Sequence, residues 1–347
     1  MKIAIITDQH FGARKSSKPF HDYFLKFYEN IFFPTIEKRK IDTIIDMGDT
    51  FDNRKNVDFS SLYWAKENYY DKLKKLNCKI YTIVGNHTTY HKNTNQVNAI
   101  DLLLREYENV IPISSPKEVR IENMNALMLP WICTDNREKT DYLLQNTKAN
   151  VVFGHLELSG FAAYPGHLQT EGMSADIFKK FSKVYSGHYH TKSDDGKIYY
   201  LGNPYQMFWN DVDDVRGFHI FDTNTYELEH IQNPYNMFER IYYEDTDIKS
   251  FDTSYLKEKI VKIVVRQKSN QLKFDKFVDK VLKANPLDLK VVEIIDVYDG
   301  NVDCEEITAE DTLSILDKYV EEAEFDLDKI IIKKLLRDVY KEALEIE

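Results

Sequence analysis

The chain has only three cysteines in 347 residues, Cys78, Cys133 and Cys304, and no CxxC pair among them. Such a set cannot supply a disulfide framework or a zinc ribbon, and it suits a reducing compartment. Long apolar runs are missing too. No stretch approaches the length of a membrane span, so no membrane association is expected. The opening MKIAIITDQH carries an apolar run too short for a signal peptide and turns acidic at once, which gives the expectation of a cytoplasmic protein. Internal repeats and low-complexity linkers are also absent. Positive charge is in short supply, with a formal net charge of −11. Net acidity ordinarily argues against nucleic acid as a partner. Its distribution removes most of that objection. Residues 301–347 hold 15 acidic and 6 basic side chains, a net of −9, which leaves −2 for residues 1–300. Bound divalent cations would make a site in this near-neutral body electropositive.

What remains is an ordinary globular composition, 43% hydrophobic and 30% charged, on a chain long enough for two domains and an appendage. The first 230 residues repeat one grammar. A short β-branched run ends in a small or polar turn, and a segment with helical spacing usually follows. Lys2–Thr7 leads to DQHFG, residues 41–47 (IDTIIDM) to GDTFD, and residues 79–84 (KIYTIV) to GNH. Later VVF (151–153) precedes GHLE and VYS (184–186) precedes GHYH. Helices are expected from about Pro19 to Lys40 and from about Phe59 to Asn77. Near-continuous apolar strands alternating with helices predict an α/β fold whose sheet is covered on both faces. Ligands of such sheets collect beyond the carboxyl ends of the strands, where every one of these polar turns falls.

After Asn233-Pro234 the pattern changes. Residues 259–266 and 289–298 read as strands flanking a helix around Leu272–Ala284, a small α+β domain. From about Ala309 two amphipathic helices follow, one carrying Leu313, Leu316 and Val320, the other Leu327, Ile331, Leu335 and Val339. The expected domains are therefore residues 1–233, 234–304 and 305–347.

Five strand-end turns bring, in order, Asp8 and His10; Asp49; Asn86 and His87; His155; then His188 and His190. Mixed carboxylate, imidazole and amide donors suit borderline divalent ions such as Mn²⁺, Fe²⁺ or Zn²⁺. Each short motif arises by chance, but five at successive strand ends point to one metal centre. Glycine directly before Asp49, Asn86, His155 and His188 fits this, because it lets the backbone turn sharply beneath a ligand. His21, His91, His167, His219 and His230 read as ordinary core or surface histidines.

These turns, with GDTFDNRK (48–55), LPWIC (129–133), GHLELSGF (154–161), SGHYHT (186–191), YLGNP (200–204) and RGFHIFDT (216–223), resemble the calcineurin-like metallophosphoesterase superfamily. Within it the similarity is to the nuclease subunits of double-strand-break repair complexes, the SbcD type and the small subunits of T-even phage recombination endonucleases. The resemblance covers the catalytic body by motif and the remainder only by layout. It implies a four-layer α/β/β/α sandwich with a small α+β accessory domain and a C-terminal helical tail. It assigns Asp8, His10 and His190 to one metal and Asn86, His155 and His188 to another, with Asp49 bridging. Two Mn²⁺ ions per chain are implied, with Mg²⁺ as the other candidate. Two ions about 4 Å apart activate a water and stabilise the leaving oxygen of an in-line displacement. His87 is then the proton donor to the leaving 3′ oxygen.

The implied activity is that of a DNA exonuclease and endonuclease acting on double- and single-stranded DNA in recombination and repair. The implied partners are a second copy of the chain and an SbcC-like coiled-coil ABC ATPase bound by residues 305–347. The setting is cytoplasmic, in a host cell if the protein is phage-encoded. Segments Phe20–Phe33 and Leu62–Leu73 are candidate dimer surfaces. Arg14, Lys15, Arg54, Lys55, Lys92 and Asn93 follow the first three motifs and are candidate DNA contacts. Trp131 and Tyr189 are candidates for base stacking, with wall or core packing the alternative. Asn203, in GNP, is a candidate supporting residue.

Two other functions compete. Protein phosphatases of the superfamily carry a phosphate-clamping arginine in GDxVDRG, whereas here GDTFDNRK displaces the arginine by one place. A phosphoprotein phosphatase or cyclic-nucleotide phosphodiesterase is thus the alternative enzyme. The other alternative is a weakened metal- and DNA-binding subunit, and its support is Thr88. The family pattern has an acid after GNH that orients the histidine; threonine brings no charge. Asp52 is the candidate substitute orienter, and Thr88→Asp is expected to raise the cleavage rate.

Overall fold

In a computed structural model the described residues are 1–293 except 269, together with 320, 329, 332, 333, 335 and 336. Residues 1–295 form one compact unit and 296–347 a second. The expected tail helices fall largely outside the described residues, as does Cys304. Of their named apolar positions, Val320 and Leu335 are described, and both are helical. Among the described residues no helix is long and apolar enough to cross a membrane.

The strands in chain order are β1 Lys2–Ile6, β2 Thr43–Asp46, β3 Lys79–Ile83, β4 Val110–Ile113, β5 Lys117–Ile121 and β6 Met124–Leu129. Then come β7 Val151–His155, β8 Ala162–Tyr164, β9 His167–Leu168, β10 Lys183–Gly187, β11 Ser193–Asp194 and β12 Ile198–Tyr200. The last are β13 Gly217–Asp222, β14 Leu228–Gln232, β15 Phe238–Tyr242, β16 Ile260–Val265 and β17 Asp288–Glu293. One six-stranded sheet has the order β14-β13-β1-β2-β3-β4, and a second has β11-β12-β10-β7-β6-β5. Strands β1 to β4 of the first sheet and β6, β7, β10 and β12 of the second run parallel.

Alternation along β1 shows why the layers form. Ala4 and Ile6 pack on one core with Phe24, Phe27, Tyr28 and Tyr69 from the helical segments 18–38 and 59–75. Ile3 and Ile5 pack on another, facing Met128, Val151, Phe153 and Tyr185 of the opposite sheet. The outer face of the second sheet buries Leu127, Val152 and Val184 against Leu144 of helix Arg137–Asn146. Strand side chains with period two thus serve two cores at once. The result is the expected four-layer α/β/β/α sandwich. Both aromatic-rich helices contain a widened π-type turn, Tyr28–Phe32 and Lys66–Tyr70, which seats Tyr28 and Tyr69 in the core.

This arrangement bears on the two candidate dimer segments. The aromatics of 20–33 are buried in the protein's own core, so the surface this segment offers is its polar face, with Asp22, Glu29 and Asn30 exposed. In the second candidate segment Trp64, Tyr69, Tyr70 and Leu73 are buried as well, and the exposed rings are Phe59 and Tyr63 at its edge.

β15, β16 and β17 make a separate parallel sheet, with helix Gln271–Lys283 crossing between the last two. Phe274, Phe277 and Val281 of that helix cover Val261, Ile263 and Val265. The first strand of this sheet was not anticipated, since residues 238–242 (FERIY) interrupt an apolar pattern with charge.

Candidate metal centre

All five ligand-bearing turns lie at the carboxyl edges of adjacent parallel strands. β1, β2 and β3 present theirs from one sheet, and β7 and β10 from the other. Four of the residues concerned, Asp8, His10, Asp49 and His188, have left-handed φ values of 52°, 47°, 50° and 85°. Each such residue costs about 1–3 kcal/mol and persists only where its surroundings enforce it. Here the enforcing bonds are visible. Asp8 N donates to Gly48 O and His10 N to Asp49 O, each at 2.9 Å. Two glycines permit the approach. Gly48 turns at φ 112°, and a Cβ there would lie 2.5 Å from His155 Nδ1. A Cβ on Gly85 would lie 2.2 Å from Asp49 Oδ1.

Two donor clusters result, Asp8 with His10 and His190, and Asp49 with His155 and His188. In the second, His155 Nδ1 donates to Met47 O at 2.9 Å, which turns the Nε2 lone pair inward. That nitrogen lies 2.9 Å from Asn86 Oδ1 and 3.1 Å from Asp49 Oδ2. His188 Nδ1 reaches the same Asn86 oxygen at 3.0 Å. In the first cluster Asp52 Oδ1 accepts from His10 Nδ1 at 3.0 Å. The His10 Nε2 lone pair then faces His190 Nε2 at 3.2 Å. Convergent lone pairs repel one another unless a positive charge sits among them. This donor set therefore fits divalent cations.

Without a bound cation the fixed charges act on the donors themselves. Burial would raise the Asp49 carboxyl, but His155 and then His87 outweigh it and hold the group well below the usual carboxylate range. Burial would lower His155, yet Asp49 raises it to about 9. His188 is pushed down to about 3 by burial and then by His155. Burial and then His10 hold His190 well below its usual value. Asp49 acts on residues of both clusters, since its charge also raises His10 and opposes the lowering of His190.

His87 is exposed at the mouth, edge-on to His10 with ring centres 4.9 Å apart. Its main-chain N donates to Asp49 Oδ1 at 2.8 Å, and its Nδ1 lies 2.6 Å from the Asp52 carbonyl oxygen. A carbonyl only accepts, so Nδ1 carries the proton and Nε2 is left as the exchanging nitrogen. His87, His10 and Asp52 also form a third possible donor group. Hydrogen bonds already engage Nδ1 of each ring there.

Asp52 thus meets His87 differently from expectation. Its carbonyl, not its carboxylate, orients His87, while the carboxylate fixes the tautomer of His10. A carboxylate behind a metal-binding imidazole raises its basicity. Asp52→Ala is accordingly expected to weaken Mn²⁺ affinity by roughly 10–100-fold. The rate at saturating Mn²⁺ should change little, because the carbonyl stays. Calorimetric titration beside a metal-dependence curve would check both halves.

Thr88 is also not where the sequence suggested. It is buried, its hydroxyl donates to Gly85 O at 3.0 Å, and it accepts from Gly85 N at 3.0 Å. It closes the turn Asn86–Thr88 and leaves His87 to Asp52. Thr88→Ala should therefore cost about 1 kcal/mol of stability for the lost turn bonds, with kcat nearly unchanged. Urea denaturation alongside kinetics would show it. The expectation for Thr88→Asp changes too: with His87 already oriented, its rate should stay level or fall.

The candidate DNA contacts divide. Arg14 Nε donates to Met207 O at 2.9 Å, and Arg54 Nε donates to Asn86 O at 3.1 Å. Arg14, Lys15, Lys55, Lys92 and Asn93 are exposed, and Arg54 is half-buried. Of the two aromatic candidates, Tyr189 is buried with its hydroxyl on Leu158 O at 2.9 Å, so it packs and cannot meet a base. Trp131 is half-buried, with its ring centre 5.2 Å from that of His188.

One residue was missed altogether. Arg216, 3% exposed, donates to the His190 carbonyl and to Asn203 Oδ1, and pairs with Asp214 at 2.9 Å and Asp211 at 3.2 Å. It locks the His190 backbone and gives Asn203 its supporting place. The available signal was an arginine opening a buried strand, in RGFHIFDT.

A two-sheet sandwich with clustered metal donors at one edge defines a metallophosphoesterase. The chain belongs to the calcineurin-like phosphoesterase family, whose model matches residues 1–192. Exonuclease subunit 1 of Enterobacteria phage T4 is 31% identical over 287 residues, 82% of this chain and 82% of that protein. A solved structure of a novel archaeal phosphodiesterase aligns over 67% of this chain and 100% of that one, at 14% identity and a TM-score of 0.35, too slight a likeness to add to the assignment.

Proposed function

We propose that the protein is a Mn²⁺-dependent DNA nuclease, with Mg²⁺ as a possible substitute, cutting phosphodiester bonds as part of a recombination or repair complex. The observation that carries this is the pair of donor clusters, Asp8 with His10 and His190 and Asp49 with His155 and His188, with His87 at their mouth. Similarity to a phage protein called an exonuclease subunit supports DNA as substrate and a complex as setting.

In this reading Asp8, His10 and His190 hold one cation, Asn86, His155 and His188 the other, and Asp49 serves both. The bound cations would supply an activated water and charge neutralisation at the phosphoryl oxygens. Asp52 and Met47 keep the His10 and His155 lone pairs aimed inward. His87 Nε2 protonates the leaving 3′ oxygen, while its Nδ1–H stays on the Asp52 carbonyl. Lys15, Lys55, Lys92 and Asn93 would meet the DNA backbone. Residues 305–347 would bind an SbcC-like ATPase, and a second copy of the chain would complete the complex.

The phosphatase alternative needs an arginine aimed at the phosphate. Arg54, the nearest counterpart, stands one place later in the motif than the phosphatase arginine, with its Nε on the Asn86 carbonyl. Purified protein with Mn²⁺ should cut linear duplex DNA and single-stranded circles, and a chelator should abolish this. Cleavage of a phosphate monoester alone would establish the phosphatase reading. No turnover with any metal would establish the weakened binding subunit.

A further inference from the structure

Beside the metal centre lies an aromatic ring that the proposed chemistry does not use. Phe208 keeps 41% of its surface in solvent, although its chain neighbours Tyr205, Gln206 and Met207 are buried. The loop that carries it is firmly held. One Asp211 carboxylate oxygen accepts from Met207 N at 2.6 Å and from Phe208 N at 2.9 Å. Asp211 is in turn anchored by Arg216 at 3.2 Å, both nearly inaccessible to water. The ring therefore faces solvent from a braced position.

Its neighbours are informative. The Arg14 guanidinium carbon sits 4.8 Å from the Phe208 ring centre, and Arg14 is tethered by Nε to Met207 O. The His190 imidazole lies 22° from parallel to Phe208, with centres 6.4 Å apart. An exposed aromatic face, a guanidinium over it and a metal-site imidazole beside it together match a flat, π-bearing ligand joined to a phosphate.

We propose that Phe208, backed by Arg14, forms a base-stacking subsite for the nucleobase adjoining the scissile phosphate. This rests on the nuclease reading and goes beyond it. Stacking requires a base free of its neighbours, so the nucleotide received here is unpaired, in single-stranded or frayed DNA. It also makes Arg14 a support for the ring.

The test uses single-stranded oligonucleotides, each carrying one abasic residue at a successive position, cut with Mn²⁺ and read bond by bond. In the wild type, one position of the abasic residue relative to the cut should lower kcat/KM by roughly 5–150-fold, the range for loss of one stacked base. Phe208→Ala should lose a similar factor on intact DNA and become insensitive to the abasic residue at that position. Phe208→Trp should restore both rate and sensitivity, whereas Phe208→Leu, which keeps apolar bulk without a π-face, should not. The proposal is overturned if Phe208→Ala keeps the wild-type abasic profile, or if leucine restores activity as well as tryptophan. Absence of DNA cleavage by the wild type would instead strike the nuclease reading, and the stacking site would fall with it.

Discussion

Replacing His87 by alanine is expected to lower kcat for DNA cleavage by about 10²–10⁴-fold, the usual worth of a positioned general acid. Mn²⁺ binding should be unaffected, because the His87 ring belongs neither to the Asp8–His10–His190 cluster nor to the Asp49–His155–His188 cluster. The main-chain N–H that His87 gives Asp49 also survives in the variant. The loss should therefore fall on kcat and leave the metal-dependence curve in place. A leaving group that needs no proton, such as p-nitrophenolate, offers a second check. On a p-nitrophenyl phosphodiester the variant should recover most of the wild-type rate. An equal loss on both substrates would show that His87 positions the substrate and donates no proton.

The second large effect lies away from the mouth. Arg216→Ala should destabilise the protein by about 3–5 kcal/mol, because it strands partly or fully buried Asp211 and Asp214 without their cation. That cost is not the net worth of the ion pairs, which in buried settings is often small. It is the penalty of leaving charge unpaired. The same substitution frees the His190 carbonyl and the Asn203 side chain, so Mn²⁺ affinity should fall together with the urea midpoint. Arg216→Lys keeps the charge but not the planar fork, and should fall between. A stable alanine variant with unchanged metal affinity would remove Arg216 from the account.

How much of this the sequence disclosed follows from the range of each interaction. The donors were legible because each sits within five residues of a strand end, and strand, turn and donor are written consecutively. The apolar runs required a sheet covered on both faces, and the resemblance implied the four-layer sandwich. What was hidden depends on contacts between distant segments. Asp52 lies 42 residues from His10, and only the folded chain shows its carboxylate turned there and its carbonyl turned to His87. Thr88 looked like a missing acid because a one-dimensional pattern cannot show a hydroxyl folded back on Gly85. Arg216 opens RGFHIFDT, but that stretch does not show what the arginine holds, and Phe208 carries no motif. Their meaning comes from side-chain contacts with Asp211, Asn203 and Arg14 that only the folded chain shows.

The central claim is that the five turns assemble a two-cation centre in which Asp49 serves both positions. Low-temperature electron paramagnetic resonance of the Mn²⁺-saturated protein, with bound metal counted on the same sample, tests it most directly. The account predicts two Mn²⁺ per chain with the signature of exchange-coupled ions, and loss of that coupling in Asp49→Ala. One ion per chain, or two that remain uncoupled in the wild type, would contradict it.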